Sequence, residues 1–147
     1  MNILRDNRGF TMVELLAVVV VVGVLSVAAL SRNQSTDIQS LLTEADLLRS
    51  NLRYAQTKAL ADNVSWSISL TGTTYTLVDG GGGTTMLPSD TIATHTLTGG
   101  VTITTGVGTS ASFDNWGSPG AADKTIVLTL GASTQTITIT KNTGFIQ

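Results

Sequence analysis

The chain has 147 residues with ten acidic, eight basic and no cysteine side chains, which suits one ordinary domain and excludes a disulfide-stapled scaffold. A formal net charge of −2 excludes a broadly cationic surface of the kind that meets polyanions. With a single histidine, His95, and no cysteine, an ordinary zinc site is excluded as well.

Met1 to Gly9 carries Arg5 and Arg8 against Asp6, and Phe10 to Leu30 follows as 21 residues with Glu14 as their one ionisable group. About 20 apolar residues cross the hydrocarbon core of a bilayer as a helix. Positive residues before a first span hold that end in the cytoplasm, so the remainder is expected to face outward. Within this run Glu14 is costly, about 2.5 to 3.5 kcal/mol for a charged group at a span's centre, and such a group reads as functional with a partner to be found.

After Ser31 the sequence is polar to Thr36 without Pro or Gly, and a helical period then resumes. Ile38, Leu41, Leu42, Ala45, Leu48, Leu52, Ala55 and Ala59 draw an apolar stripe at spacings of three and four. Asp37, Glu44, Asp46, Arg49, Arg53 and Lys58 fill the other faces, and Asn63 is a suitable C-terminal cap. An unbroken helix over 10–62 would be about 80 Å long at 1.5 Å per residue.

From Ser65 onward the texture changes, with 21 threonines and six charged side chains and alternation in place of the helical period. Ser65 to Leu70 and Thr73 to Val78 predict a hairpin around Thr71-Gly72, and Val101 to Thr105, Thr125 to Leu130 and Thr134 to Thr140 predict further strands. Asp79 to Gly83, Leu97 to Gly100 and Asn115 to Gly120 are loop signals, the glycine run being expected to move freely. The expected fold class is α+β: a long N-terminal membrane and assembly helix packed against a C-terminal antiparallel β head.

Gly9-Phe10-Thr11-Met12-Val13-Glu14 resembles the class III signal of type IV pilins and type II secretion pseudopilins. That resemblance implies a prepilin peptidase that cuts after Gly9 and methylates the new terminal amine of Phe10. It makes Glu14 the acidic fifth residue of the mature chain, Gly23 the glycine commonly found in the span, and other pilin subunits the partners. The Phe10 amine, of the same chain or of a neighbouring subunit, is then the partner of Glu14, and their pairing sets the register of a filament. The expected segments are a cleaved leader 1–9, a transmembrane and filament-core helix 10–31, an amphipathic helix 32–63 and a Thr-rich head 64–147. Location follows as an inner-membrane precursor, then a periplasmic or cell-surface filament. An ordinary secretory signal ending at Ser26-Val27-Ala28 competes, but it leaves Glu14 inside the apolar region and the continuing helix without a reason; a simple membrane anchor leaves Gly9 and Glu14 accidental. Ser31 stands where many family members have a proline, which leaves open whether the helix loosens over Gly23 to Ser31.

The run from Arg49 to Asn63 before a strand, and Ser112-Phe113-Asp114 with the terminal Gly144-Phe145-Ile146, are similar to H-type pseudopilins and their FimT and FimU pilus relatives. The resemblance implies a non-enzymatic minor subunit of a secretion pseudopilus or a type IV pilus. Asp114 to Pro119 also resembles a loop of the major pseudopilin, a calcium-binding family, which makes Asp114, Asn115 and Asp123 weak metal candidates that read better as an ordinary turn. No cofactor is implied. DNA binding during uptake is an alternative that the few head cations, Lys124 and Lys141, do not favour; Arg49, Arg53 and Lys58 read as a solvated helix face paired with Asp46 or Glu44. A head that binds a substrate or surface through a free strand edge is another. His95, between threonines, reads as a solvated strand or loop residue.

Overall fold

The computed structural model describes residues 10–88 and 90–147, the side chains of 28–36 excepted. The chain is α+β: helix α1 (Met12–Asp62) is followed by β1 (Trp66–Leu70), β2 (Thr74–Val78), β3 (Thr94–Thr96), β4 (Thr102–Thr105), β5 (Ser110–Phe113), β6 (Lys124–Leu130) and β7 (Ser133–Ile139). Two compact units divide at residue 36/37.

In the first unit α1 starts at Met12 because Thr11 caps it. The Thr11 hydroxyl accepts the Glu14 amide at 3.3 Å, and the Thr11 carbonyl accepts the amides of Glu14 and Leu15 at 3.0 and 3.1 Å. A threonine cap with Glu three positions later is a common way to satisfy the orphan N–H groups of a first turn. The helix runs through Gly23 and Ser31 without interruption. Among the described residues no helix is long and apolar enough to cross a membrane; the apolar run whose side chains are described ends at Val27, short of the expected Leu30.

The second unit is built on the rest of α1. Leu41, Ala45, Leu48, Leu52, Ala55 and Ala59 are buried, alternating steps of four and three that keep one seam turned inward. Two members of the expected stripe are not buried: Ile38 and Leu42 are 48% and 40% exposed. Glu44 and Asn51, seven residues apart beside the seam, are buried in their place. Asn63 takes the left-handed conformation (φ 54°) that ends the helix.

The seam packs on two antiparallel sheets with strand orders β3-β2-β1-β5 and β4-β6-β7. Alternation places Trp66, Ile68 and Leu70 of β1, Tyr75 and Leu77 of β2, Ala111 and Phe113 of β5, Ile126 and Leu128 of β6, and Ile137 and Ile139 of β7 in one core. The outward threonines pair across strands, Thr76 with Thr94 at 2.7 Å and Thr102 with Thr129 at 3.1 Å, so a hydroxyl-rich face is knit without charge. Strands β3 and β5 had no sequence signal of their own. The expected hairpin forms, with Leu70 opposite Tyr75, and the Thr71 hydroxyl accepts the Thr74 amide at 2.9 Å to close it. In the glycine run the Asp79 carboxylate accepts the amides of Gly81 and Gly83 at 2.9 and 2.8 Å, which gives this loop a fixed internal framework.

Candidate assembly site

Glu14 lies in the first turn of α1, where the partial positive charge of the helix end favours a carboxylate. It is exposed, and so is everything around it: Phe10 is 84% exposed, Met12 90%, and each valine and leucine from Val13 to Val27 more than half. A continuous apolar surface of this extent is far beyond what a soluble monomer presents to water and has to be covered by lipid or protein. A Cβ added at Gly23 would meet nothing within 4 Å, so nothing among the described residues requires a glycine there. Gly9 lies outside the described residues. Thr11, which orients the Glu14 backbone, is the residue that reasoning from sequence passed over, although Thr11-Met12-Val13-Glu14 has capping-box spacing.

The weak metal candidates are spent on local structure. One Asp114 carboxylate oxygen accepts the amides of Trp116 and Ser118 at 2.9 and 2.8 Å, Asn115 donates to the Asn63 side chain at 3.2 Å, and Asp123 accepts the Lys141 amide at 2.7 Å. Among the described residues no group of three or more acidic or histidine side chains is arranged to hold an ion.

Four of the described cations, Arg49, Arg53, Lys58 and Lys124, are likewise engaged. Arg49 reaches Asp46 at 2.8 Å and the Thr136 carbonyl at 3.3 Å. Arg53 donates to the Ile146 carbonyl at 3.2 Å, and Lys124 to the Ser110 carbonyl at 3.3 Å. Lys58 pairs with Asp62 at 2.9 Å, a hydrogen bond that raises the lysine pKa. The Arg49 and Arg53 contacts tie α1 to β7 and the C-terminal residues, and the Lys124 contact ties β6 to β5. Glu44 is not on the solvated helix face as expected: it is 4% exposed.

Glu44 instead meets His95, a correction to the solvated placement expected for that histidine. The His95 side chain is 11% exposed, with Nε2 3.0 Å from Glu44 and Nδ1 2.6 Å from Asp90. The other Glu44 oxygen accepts the Thr98 amide at 3.0 Å and the Thr98 hydroxyl. The Tyr75 ring lies 4.9 Å from the imidazole, and its hydroxyl accepts from Asn51 at 2.9 Å. Burial pushes the Tyr75 phenol well above its usual range. Thus both polar intrusions on the helix seam are satisfied, as burial of polar groups demands.

Strand edges are unevenly protected. Beyond its pairing with β6, β4 donates from Ile103 to the Gly72 carbonyl at 2.9 Å, and β7 exchanges hydrogen bonds with the C-terminal residues through Thr138 and Gln147. Among the described residues strand β5 pairs with β1 alone, and it borders a cleft of about 280 Å³ lined by Leu70, Ala111 and Ile126 together with Thr109, Ser110 and Lys124.

A capped apolar helix with one acid in its first turn, continued as the spine of a two-sheet head, defines a pilin-like subunit. Residues 4–30 match the prokaryotic N-terminal methylation motif, and residues 44–144 match the family of the type II transport protein GspH. The second match takes in more than half of the chain, which therefore belongs to that family, the minor pilin and pseudopilin-like structural subunits. Two crystal forms of the type IV minor pilin FimU of Pseudomonas aeruginosa share the fold. One has a TM-score of 0.60 at 18% identity over 76% of this chain and 90% of FimU; the other has 0.54 at 20% identity over 73% and 90%. No curated protein sequence matches the chain.

Proposed function

We propose that this chain is inserted in the inner membrane, cut after Gly9 by a prepilin peptidase, methylated at Phe10 and built as a non-enzymatic minor subunit into an extracytoplasmic filament. Leader 1–9 is then discarded, 10–31 supplies the filament core, 32–63 continues as the spine, and 64–147 is the surface head. The observation that carries this reading is the uncovered apolar surface from Phe10 to Val27 with one carboxylate at its start. Processing creates a positive amine four residues from Glu14, and joining the two in an apolar surrounding avoids the cost of leaving either charge unpaired. Gly23, with no neighbour of its own, suits a close approach by a second helix.

Replacing Gly9 by alanine is expected to leave the full-length precursor in the membrane, visible as a chain heavier by the mass of residues 1–9. Normal processing of that variant would remove the peptidase step from the reading. DNA binding draws no support from Arg49, Arg53 and Lys124, whose charged groups are committed to backbone carbonyls. The cleft at β5 favours a second role, in which the head takes up an extended segment of a secreted or neighbouring protein.

A further inference from the structure

The site formed by Asp90, His95 and Glu44 has a proton requirement that follows from counting donors. Both ring nitrogens of His95 lie within hydrogen-bonding distance of carboxylate oxygens, 2.6 Å to Asp90 and 3.0 Å to Glu44. Ionised carboxylates only accept, and a neutral imidazole has one N–H. Both contacts are made together only by the doubly protonated ring. The three groups come from separate parts of the second unit: Glu44 from α1, His95 from β3, and Asp90 from the connection between β2 and β3. The remaining titratable group against the imidazole is Tyr75 of β2, which is neutral.

We propose that Asp90, His95 and Glu44 form a proton-dependent clip that fastens the β2 to β3 connection onto α1, closed while His95 holds two ring protons and opening at Asp90 when one leaves. The two carboxylates differ in what they stand to lose. Glu44, 4% exposed, keeps the Thr98 amide and hydroxyl as donors and is too deeply set to recruit water. The Asp90 side chain is 28% exposed and can exchange the imidazole for solvent. The single proton of the neutral ring therefore stays on Nε2 toward Glu44, and Nδ1 and Asp90 separate as two acceptors.

Burial lowers the His95 pKa, but the hydrogen bonds and charges of Asp90 and Glu44 outweigh it, and the net displacement is upward from 6.5. A raised folded pKa adds stability that is complete below the unfolded value and is lost as pH climbs through the folded one. The clip thus holds while the pH stays below the raised His95 pKa with both carboxylates ionised, and it releases as the pH climbs through that pKa. What it releases is the segment closed by the hydrogen bonds from Leu87 to Ile92 and from Asp90 to Leu87, which carries the exposed Ile92 and is preceded by the exposed Met86.

The test uses the full chain in detergent micelles. His95 is the only histidine, so its ring resonances give one titration without overlap. Peptide-resolved hydrogen exchange, corrected for intrinsic rates, is followed over the same pH range. His95 is expected to titrate above free imidazole. Protection over residues 84–93 should fall about tenfold through that titration, the response to one lost charge-assisted hydrogen bond, while β1 and β6 hold theirs. Asp90→Asn should bring the His95 titration down and flatten the exchange step with the strands intact. Titration at or below free imidazole, or protection over 84–93 that is indifferent to pH or to Asp90→Asn, would overturn the clip.

Discussion

Gly144→Ala is expected to destabilise the head by about 3 kcal/mol or more, the sum of a left-handed backbone and an overpacked site. Gly144 has φ +66°, and a Cβ there would stand 2.0 Å from the Gly117 carbonyl oxygen and 2.4 Å from Gln56 Nε2. The crowding has a structural reason. The Gln56 amide donates to the Gly117 carbonyl at 2.8 Å and the Gly144 carbonyl at 3.0 Å, joining the Asp114 turn and the C-terminal tail to the last turns of α1. Backbone lies on one side and a hydrogen-bonded amide on the other, so the methyl cannot be absorbed by a side-chain rotation. Thermal unfolding should shift down by on the order of 10 °C. Gly131→Ala is the control: φ is +59° but a Cβ meets nothing within 4 Å, and only the backbone cost of about 1 kcal/mol is expected. Equal losses at both positions would mean that the Gln56 junction contributes nothing.

Glu14→Ala carries the larger functional effect. Processing should continue, since the residues around the cut are kept, but the Phe10 amine would then enter an apolar surrounding unpaired. At about 2.5 to 3.5 kcal/mol for a lone charge in such a place, incorporation beside the parent subunit should fall by a factor of tens or more. Glu14→Gln separates charge from shape, because it keeps the size and the Thr11 cap and removes only the ionic partner. Quantitative immunoblotting of sheared filaments against membrane-retained subunit reads both variants. Incorporation of either at the parent level would remove Glu14 from assembly.

The parts of this molecule that were legible in its sequence are those whose signal is local and repeated. Period and capping residues marked α1 to Asp62 and Asn63, and clean alternation marked β1, β2, β4, β6 and β7. Strand β3 has three residues and β5 four, mostly small or hydroxyl-bearing, too few for alternation to stand out from a Thr- and Ser-rich background. The division of the strands into two sheets was not legible, because pairing is decided by contacts distant in sequence. The same applies to Glu44 and His95, which are 51 residues apart. A glutamate on a helix face and a histidine between threonines each read as solvated when taken alone, and only the fold brings them into one buried group. For the N-terminal segment the reverse holds: Phe10 and Glu14 were singled out by motif, and within one chain the geometry leaves both exposed.

Mass spectrometry of the N-terminal peptide of the chain recovered from filaments bears most directly on the proposed maturation and assembly. A peptide that begins at Phe10 and carries one added methyl group is the predicted result. A peptide that begins at Ala29, or one that retains Met1 to Gly9, would contradict it.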